Sequence, residues 1–270
     1  MANQVRVIVL RTAGTNCDEE TVFAFRSVGA EVDCIHINRF FSGEKKLRQY
    51  HILAFPGGFT YGDDIAAGKI LANELRSKLG FDIKRFISEG KLIIGICNGF
   101  QVMIKSGILP GTYNESNSDT FPFAQEATLM TNDSGKFEDR WTYLKPSGKC
   151  VWTEGIKQPV YFPVAHAEGK FVPKSKQMLK RLKAQGQVIF RYCDELGNDP
   201  LYPQNPNGSV DHIAGIADIT GRIFGLMPHP ERHFLFTHHP RWTRLKKRER
   251  WGDGAKIFQN GVDYVKKKLL

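Results

Sequence analysis

The chain has 270 residues, 41% of them hydrophobic and 24% charged, and carries a formal net charge of +10. That length and mix suit a soluble globular protein and exclude a disordered, fibrous or disulfide-scaffold chain. No stretch approaches the roughly 20 apolar residues needed to span a bilayer, and no basic-then-apolar leader is present, so the expected location is the cytoplasm.

The first half alternates regularly. Val5 to Leu10 is an apolar, β-branched run fit for a buried strand, and Asp18 to Val28 has helical character ending at Gly29, a natural C-cap. Val32 to Ile37 alternates like a second strand, and His51 to Phe55 reads as a third, closed by Pro56-Gly57-Gly58. Ile65 to Leu79 has apolar residues at helical spacing, Phe81 to Ser88 extends or follows that helix, and Leu92 to Ile96 is a fourth apolar run ending at Cys97.

Short apolar strands alternating with helices predict an α/β fold with a mostly parallel, doubly wound sheet flanked by helices. In such sheets ligands sit beyond the carboxyl ends of the strands. Three turn-rich segments fall there: Thr12 to Cys17, Pro56 to Gly62, and the corner at Cys97.

The second half is more β-like and more broken. Gly107 to Thr120 reads as a loop, with short strands expected at Ala127 to Thr131, Lys149 to Trp152 and Val160 to Phe162. Lys176 to Ala184 predicts a helix and Val188 to Cys193 a strand. His212 to Ile219 and Arg222 to Met227 form a hairpin turning at Thr220-Gly221, which makes a smaller antiparallel β element. Ile257, Phe258, Val262, Val265 and Leu269 line one stripe of a terminal helix. No internal repeat or linker divides the chain, so residues 1–270 are expected to be a single domain.

The five cysteines are odd in number, widely spread and without a CxxC pair, which argues against disulfides and against a structural zinc site. Most should be small buried hydrophobes. Cys97 differs. It sits in G-x-C-x-G between an apolar run and an incipient helix, the pattern of a nucleophile elbow. A helix N-terminus aimed at the sulfur favours the thiolate, and the backbone N–H of Asn98 is placed to hold an oxyanion.

A thiolate nucleophile needs a proton carrier. Among eight histidines, His229 in GLMPHPER is delivered by an apolar run and stiffened by Pro228 and Pro230. Pro230 keeps His229 extended, so Glu231, two residues on, shares its face and can orient the imidazole. Pro56-Gly57-Gly58, at another strand end, can turn a backbone N–H toward a ligand as a second oxyanion donor. Each signal is ordinary alone; three at expected strand ends, each filling a different role, are not.

These residues resemble the class I, or triad-type, glutamine amidotransferases. The resemblance rests on GTNCDEET (14–21), FPGGFTYGDDIAAGKI (55–70), CNGFQVMIKSGILPG (97–111), FPVAHAEGKF (162–171), NGSVDHIAGI (207–216), GLMPHPER (225–232) and DGAKIFQNGV (253–262), and so covers nearly the whole chain. It implies a flavodoxin-like sheet and glutamine hydrolysis through a cysteine thioester. Cys97 would be the nucleophile, with His229 and Glu231 completing the triad. Gly57, Gly58 and the amide of Asn98 would line the oxyanion hole, and Gln101 would help to hold the substrate glutamine. His166 is expected to be structural, and Cys17 a packing residue at the end of the first strand.

The resemblance further implies that the ammonia passes to a larger ATP-using synthetase subunit, in a complex that can include a third small subunit. That partner would convert formylglycinamide ribonucleotide to the amidine. Related triad enzymes serve GMP or CTP synthesis, and a non-catalytic binding module is the alternative from another class. No GxxxxGK[ST] loop occurs, so no cofactor is expected on this chain; ATP and magnesium would belong to the partner. No metal is expected either.

The chain departs from compact members of the family between Thr112 and Gly155 and between Phe236 and Gly252. The second stretch carries a basic run, Arg241, Arg244, Lys246, Lys247, Arg248 and Arg250. No nucleic-acid motif accompanies it, so a solvated face or a contact surface for an acidic partner is expected rather than a DNA or RNA footprint. Two adjacent glycines make 57–58 the segment most easily repositioned when that partner binds.

Overall fold

The computed structural model describes residues 4–111, 124–246 and 249–270. In the first half, strands β1 (Arg6–Arg11), β2 (Glu31–His36), β3 (Ile52–Phe55) and β4 (Leu92–Ile96) alternate with helices α1 (Asp18–Ser27), α2 (Asn38–Phe41), α3 (Lys69–Lys78), α4 (Gly80–Ser88) and α5 (Asn98–Lys105). The second half holds β5 (Ala127–Met130), β6 (Glu138–Pro146), β7 (Val160–His166), β8 (Lys170–Pro173), α6 (Lys176–Ala184), β9 (Val188–Cys193), β10 (Ile213–Ala217), β11 (Ile223–Leu226) and α7 (Ala255–Lys268).

Nine strands form one sheet in the order β2-β1-β3-β4-β11-β10-β9-β6-β7. From β2 to β11 every pairing is parallel, the doubly wound half that the alternating sequence predicts. β3 and β4 are buried at every position, which is why ILAF and LIIGI read as unbroken apolar runs: helices cover both faces of the central strands. From β11 onward the pairing is antiparallel. There β7 alternates buried and half-buried residues, as a strand with one wet face does. The expected hairpin is present as β10–β11, and its strands continue the main sheet; β5 and β8 form a separate antiparallel pair.

One helix start and one expected strand differ from the sequence reading. The helix expected from Ile65 begins at Lys69, because Tyr61, Gly62, Asp63 and Gly68 all take positive φ and hold 60–68 as a tight loop. Ile65 is correspondingly exposed. The strand expected at Lys149 to Trp152 is a single 3-10 turn, Val151–Thr153, that tucks Trp152 against α7, where Asn260 donates to its carbonyl at 3.0 Å. β6 and β8 were not legible: β6 hides its alternation under charged and aromatic residues, and β8 is four residues long. The expected loop at 107–120 lies mostly outside the described residues, as do Lys247 and Arg248 of the basic run.

The terminal helix docks by the stripe read from sequence. Ile257, Phe258, Val262 and Val265 are buried, and Phe258 meets Phe25 of α1 edge to face at 5.0 Å. No helix among the described residues is long and apolar enough to cross a membrane.

Candidate active site

The sheet order explains why three distant segments meet. β3, β4 and β11 are parallel neighbours, with Phe55 opposite Gly95 and Leu226 opposite Ile96. Their carboxyl ends therefore deliver Pro56-Gly57-Gly58, Cys97 and Met227-Pro228-His229 side by side.

Cys97 is the N-cap of α5 with φ 51° and ψ −108°, a conformation that L-residues avoid. The surroundings enforce it. Its N–H is tied to the Leu226 carbonyl at 2.8 Å, continuing the β4–β11 ladder, and its carbonyl already accepts from Gln101 in the helix. The flanking glycines are required by close approach: a Cβ on Gly99 would overlap the Phe55 carbonyl, and one on Gly95 would run into Met103. With Cys97 as cap, the N–H of Asn98 is one of the first-turn donors that no helical carbonyl can satisfy.

His229 is extended, φ −105° and ψ 92°, as its place before Pro230 dictates. Its N–H is anchored on the Pro163 carbonyl of β7 at 2.8 Å. The ring is buried, and Nδ1 meets Glu231 Oε1 at 2.6 Å. That contact fixes the tautomer, with Nδ1 donating to the carboxylate and Nε2 left free for chemistry. Nε2 has no hydrogen-bond partner among the described residues. Burial alone would drive the imidazole pKa down, but the Glu231 carboxylate and the Cys97 sulfur outweigh it and hold His229 well above its ordinary value. The site thus favours an imidazolium beside the thiol.

Gly57 packs between the reactive groups. A Cβ there would lie 2.8 Å from His229 Cε1, 3.0 Å from Cys17 Sγ and 3.4 Å from Cys97 Cβ. Gly58, at φ 144°, holds a backbone conformation open essentially only to glycine, and a Cβ on it would lie 2.6 Å from the Gly14 carbonyl oxygen. Gly57's carbonyl accepts from the N–H groups of Asn16 and Cys17 at 3.3 and 3.2 Å, so the loop after β1 clamps this segment.

Gln101 lines a cavity of about 220 Å³ beside Cys97. Its side chain is committed to the protein: Oε1 accepts from Asn98 Nδ2 at 2.9 Å and Nε2 donates to the Glu168 carbonyl at 2.6 Å. It shapes the cavity wall. His166 lines the same cavity, and burial lowers its pKa to about 4, so it is neutral at pH 7.

Cys17 is not the simple packing residue expected from sequence. Its sulfur lies 3.9 Å from His229 Nδ1 and 3.1 Å from Nη2 of Arg232, and it donates to Asn16 Oδ1 at 3.1 Å. Nothing local marked it, because His229 and Arg232 are more than 200 positions away. Cys17, His229 and Glu231 also place donor atoms within 4.8 Å of one another, the spacing of a metal cluster. Here Nδ1 is spent on the carboxylate and a guanidinium sits on the sulfur, so these atoms are arranged to handle a proton rather than a cation.

A strained thiol at a strand–helix corner, an imidazole oriented by a buried carboxylate and backbone donors on two sides are the equipment of a cysteine-nucleophile acyl-transfer enzyme. The chain belongs to the CobB/CobQ-like glutamine amidotransferase family, whose domain model matches residues 4–265. It is 48% identical over 268 residues to the phosphoribosylformylglycinamidine synthase subunit PurQ of Dehalococcoides mccartyi, covering 98% of this chain and 99% of that protein. It is 46% identical to the PurQ subunit of Archaeoglobus fulgidus, with 98% of each chain covered. Among solved structures it resembles a chain of PurLQS from Thermotoga maritima, with TM-score 0.72, 28% identity, and coverage of 97% of this chain and 100% of that one.

Proposed function

We infer that this chain is the glutaminase subunit of phosphoribosylformylglycinamidine synthase, acting in purine biosynthesis as one amidotransferase domain spanning residues 1–270. The observation that carries the inference is the 48% identity to a PurQ subunit along essentially the full length of both chains. The site geometry supplies a mechanism.

The Cys97 thiolate attacks the carboxamide carbon of glutamine. The developing oxyanion is held by the N–H groups of Gly58 and Asn98, in the setting that Gly57 keeps open. His229, kept protonated by Glu231, gives its proton to the departing ammonia, which leaves a γ-glutamyl thioester on Cys97. Water, deprotonated by the now neutral His229, attacks the thioester; glutamate leaves and the thiolate–imidazolium pair is restored.

The ammonia passes to a larger ATP-using synthetase subunit, and a third small subunit completes the complex. Likeness to a chain of PurLQS supports that partnership. The chain works in the cytoplasm without a cofactor of its own; ATP and magnesium belong to the synthetase, which converts formylglycinamide ribonucleotide to the amidine. The test is a reconstitution. With its synthetase, the chain should support glutamine-dependent amidine formation, whereas Cys97→Ala should leave only ammonium-dependent formation. Glutamine-dependent product from the Cys97→Ala complex would overturn the reading.

A further inference from the structure

Glutamine hydrolysis by the route above puts three ionised groups under cover at once: the Cys97 thiolate, the His229 imidazolium and the Glu231 carboxylate. All three side chains are buried, so water screens their charges little. Two negative charges against one positive leave the centre out of balance. A buried charge without compensation is costly, and the common relief is that a group changes its protonation and loses its charge. Glu231 shows the need: Oε1 is engaged by His229 Nδ1, while Oε2 is buried with no hydrogen-bond partner among the described residues.

Arg232 brings a cation to this centre. It follows Glu231 in the 3-10 turn Pro230–His233, and its N–H is fixed on the His229 carbonyl at 3.3 Å. Its Nη2 donates to Cys17 Sγ at 3.1 Å, and that sulfur lies 3.9 Å from His229 Nδ1. Glu20 of α1 stands 3.6 Å from its Nε. Burial opposes the charge of the guanidinium, and Cys17, Glu231, Glu20 and Cys97 together more than offset it.

The other titratable groups around the turn are otherwise engaged. The Glu20 side chain is 40% exposed, so solvent screens its pairing with Arg232. Asp18 pairs with Arg11 at 3.4 Å, and Glu19 is exposed. His233 donates to the Tyr161 carbonyl at 2.7 Å and lies 3.8 Å from Asp253. His166 of β7 is neutral, because burial first and the charge on His229 second lower its pKa to about 4.

We propose that Arg232 is a positioning residue for glutamine hydrolysis, a fixed cation that balances Glu231 and Cys97 so that thiolate, imidazolium and carboxylate stay ionised together at neutral pH. The assignment rests on the glutaminase reading. The balance survives the reaction cycle. Once the thioester has formed and His229 has given its proton to ammonia, Cys97 and His229 are neutral and Arg232 matches Glu231 charge for charge. A cation so placed stabilises the thiolate and opposes the imidazolium, so its loss raises both pKa values.

The test follows Cys97 and turnover against pH in the full chain assembled with its synthetase. Alkylation of Cys97 by iodoacetamide, read by mass on the Cys97 peptide, reports the thiolate without turnover. The kcat/KM profile for glutamine reports both limbs. Arg232→Gln should move the alkylation limb and both kcat/KM limbs up by about one pH unit, the low end of what one nearby charge produces. Arg232→Lys restores the charge and should return the limbs most of the way to the parent. Arg232→Met, which keeps the apolar stem, should shift as the glutamine variant does and replaces it if that variant does not fold. Melting curves matching the parent establish folding. Reduced activity with unmoved limbs, a lysine variant that behaves like the glutamine one, or loss of the fold in both uncharged variants would overturn the proposal. A parent inert toward glutamine would overturn the function instead, with the alkylation limb still reporting on Arg232.

Discussion

The sulfur of Cys17 lies 3.9 Å from Nδ1 of His229 while Arg232 donates to it at 3.1 Å, which joins the loop after β1 to the proposed catalytic base. Burial raises the Cys17 pKa, so it stays a neutral thiol and acts as a polarisable acceptor behind the ring rather than as a second nucleophile. Its contact favours the imidazolium. A group that stabilises the protonated ring holds the alkaline limb of activity at higher pH, so removing it should move that limb down. Cys17→Ala should therefore lose activity at a lower pH than the parent, and Cys17→Ser should recover part of the difference. A kcat/KM profile that does not move would show that Cys17 only fills space.

Cys97→Ala should abolish glutamine hydrolysis with the fold intact. Cys97→Ser should be nearly as inactive, because a serine hydroxyl at pH 7 is not ionised by a histidine whose own proton is held by Glu231. Glutamate release measured from either variant at parental levels would sink the thioester route.

The meeting of Cys97, His229 and Glu231 was legible in sequence because each sits in a compact local pattern: G-x-C-x-G for Cys97, and two prolines around His229 with Glu231 two positions on. The parallel half of the fold was legible for a similar reason, since central strands such as LIIGI have no polar face to blur them. What stayed hidden depends on distance along the chain. Cys17 and Arg232 are 215 residues apart, and Asp63 and Glu168 reach one cavity from a strained loop and the end of β7. The lone positive-φ aspartate in YGDD could not be told from an ordinary turn without the cavity it faces.

The two buried histidines should separate kinetically. His229→Ala should reduce kcat by roughly 10²–10⁴-fold, the usual worth of general acid–base catalysis. His166→Ala, whose ring is neutral and faces Asn207 at 3.4 Å, should be far milder. His238→Ala and His239→Ala, on partly exposed turns, should be near the parent. Equal loss of kcat from His166→Ala and His229→Ala would contradict this division of roles.

The His229–Glu231 pair also sets a pH dependence of stability. The folded-state pKa of His229 is raised above its ordinary 6.5. The pair's contribution is therefore fully present below about 6.5 and lost as pH rises through the raised value. Glu231→Gln removes the carboxylate, so the gap in melting temperature between parent and variant should be widest near pH 6 and shrink on the alkaline side. A gap that widens with rising pH would mean that the ring is neutral in the folded protein.

The partner's influence should act through Gly57. Its carbonyl is held by two N–H donors of the 14–17 loop at 3.2–3.3 Å, the long end of the usual N–H···O range. Such bonds contribute about 0.5–1.5 kcal/mol each. A docked synthetase can therefore reorient the Gly57-Gly58 peptide at modest cost, which couples oxyanion stabilisation to the presence of an acceptor for ammonia. The isolated chain should hydrolyse glutamine slowly, and adding the synthetase with its ligands should raise the rate strongly. Gly57→Ala should lose both basal and stimulated turnover, since its Cβ would press on His229 and Cys17. Arg241, Arg244, Lys246 and Arg250 are exposed and offer the basic face for docking. Reversing these four charges should weaken association, and the remaining binding should depend less on salt. Full turnover by the isolated chain would refute the coupling; unchanged association after charge reversal would refute only the docking face.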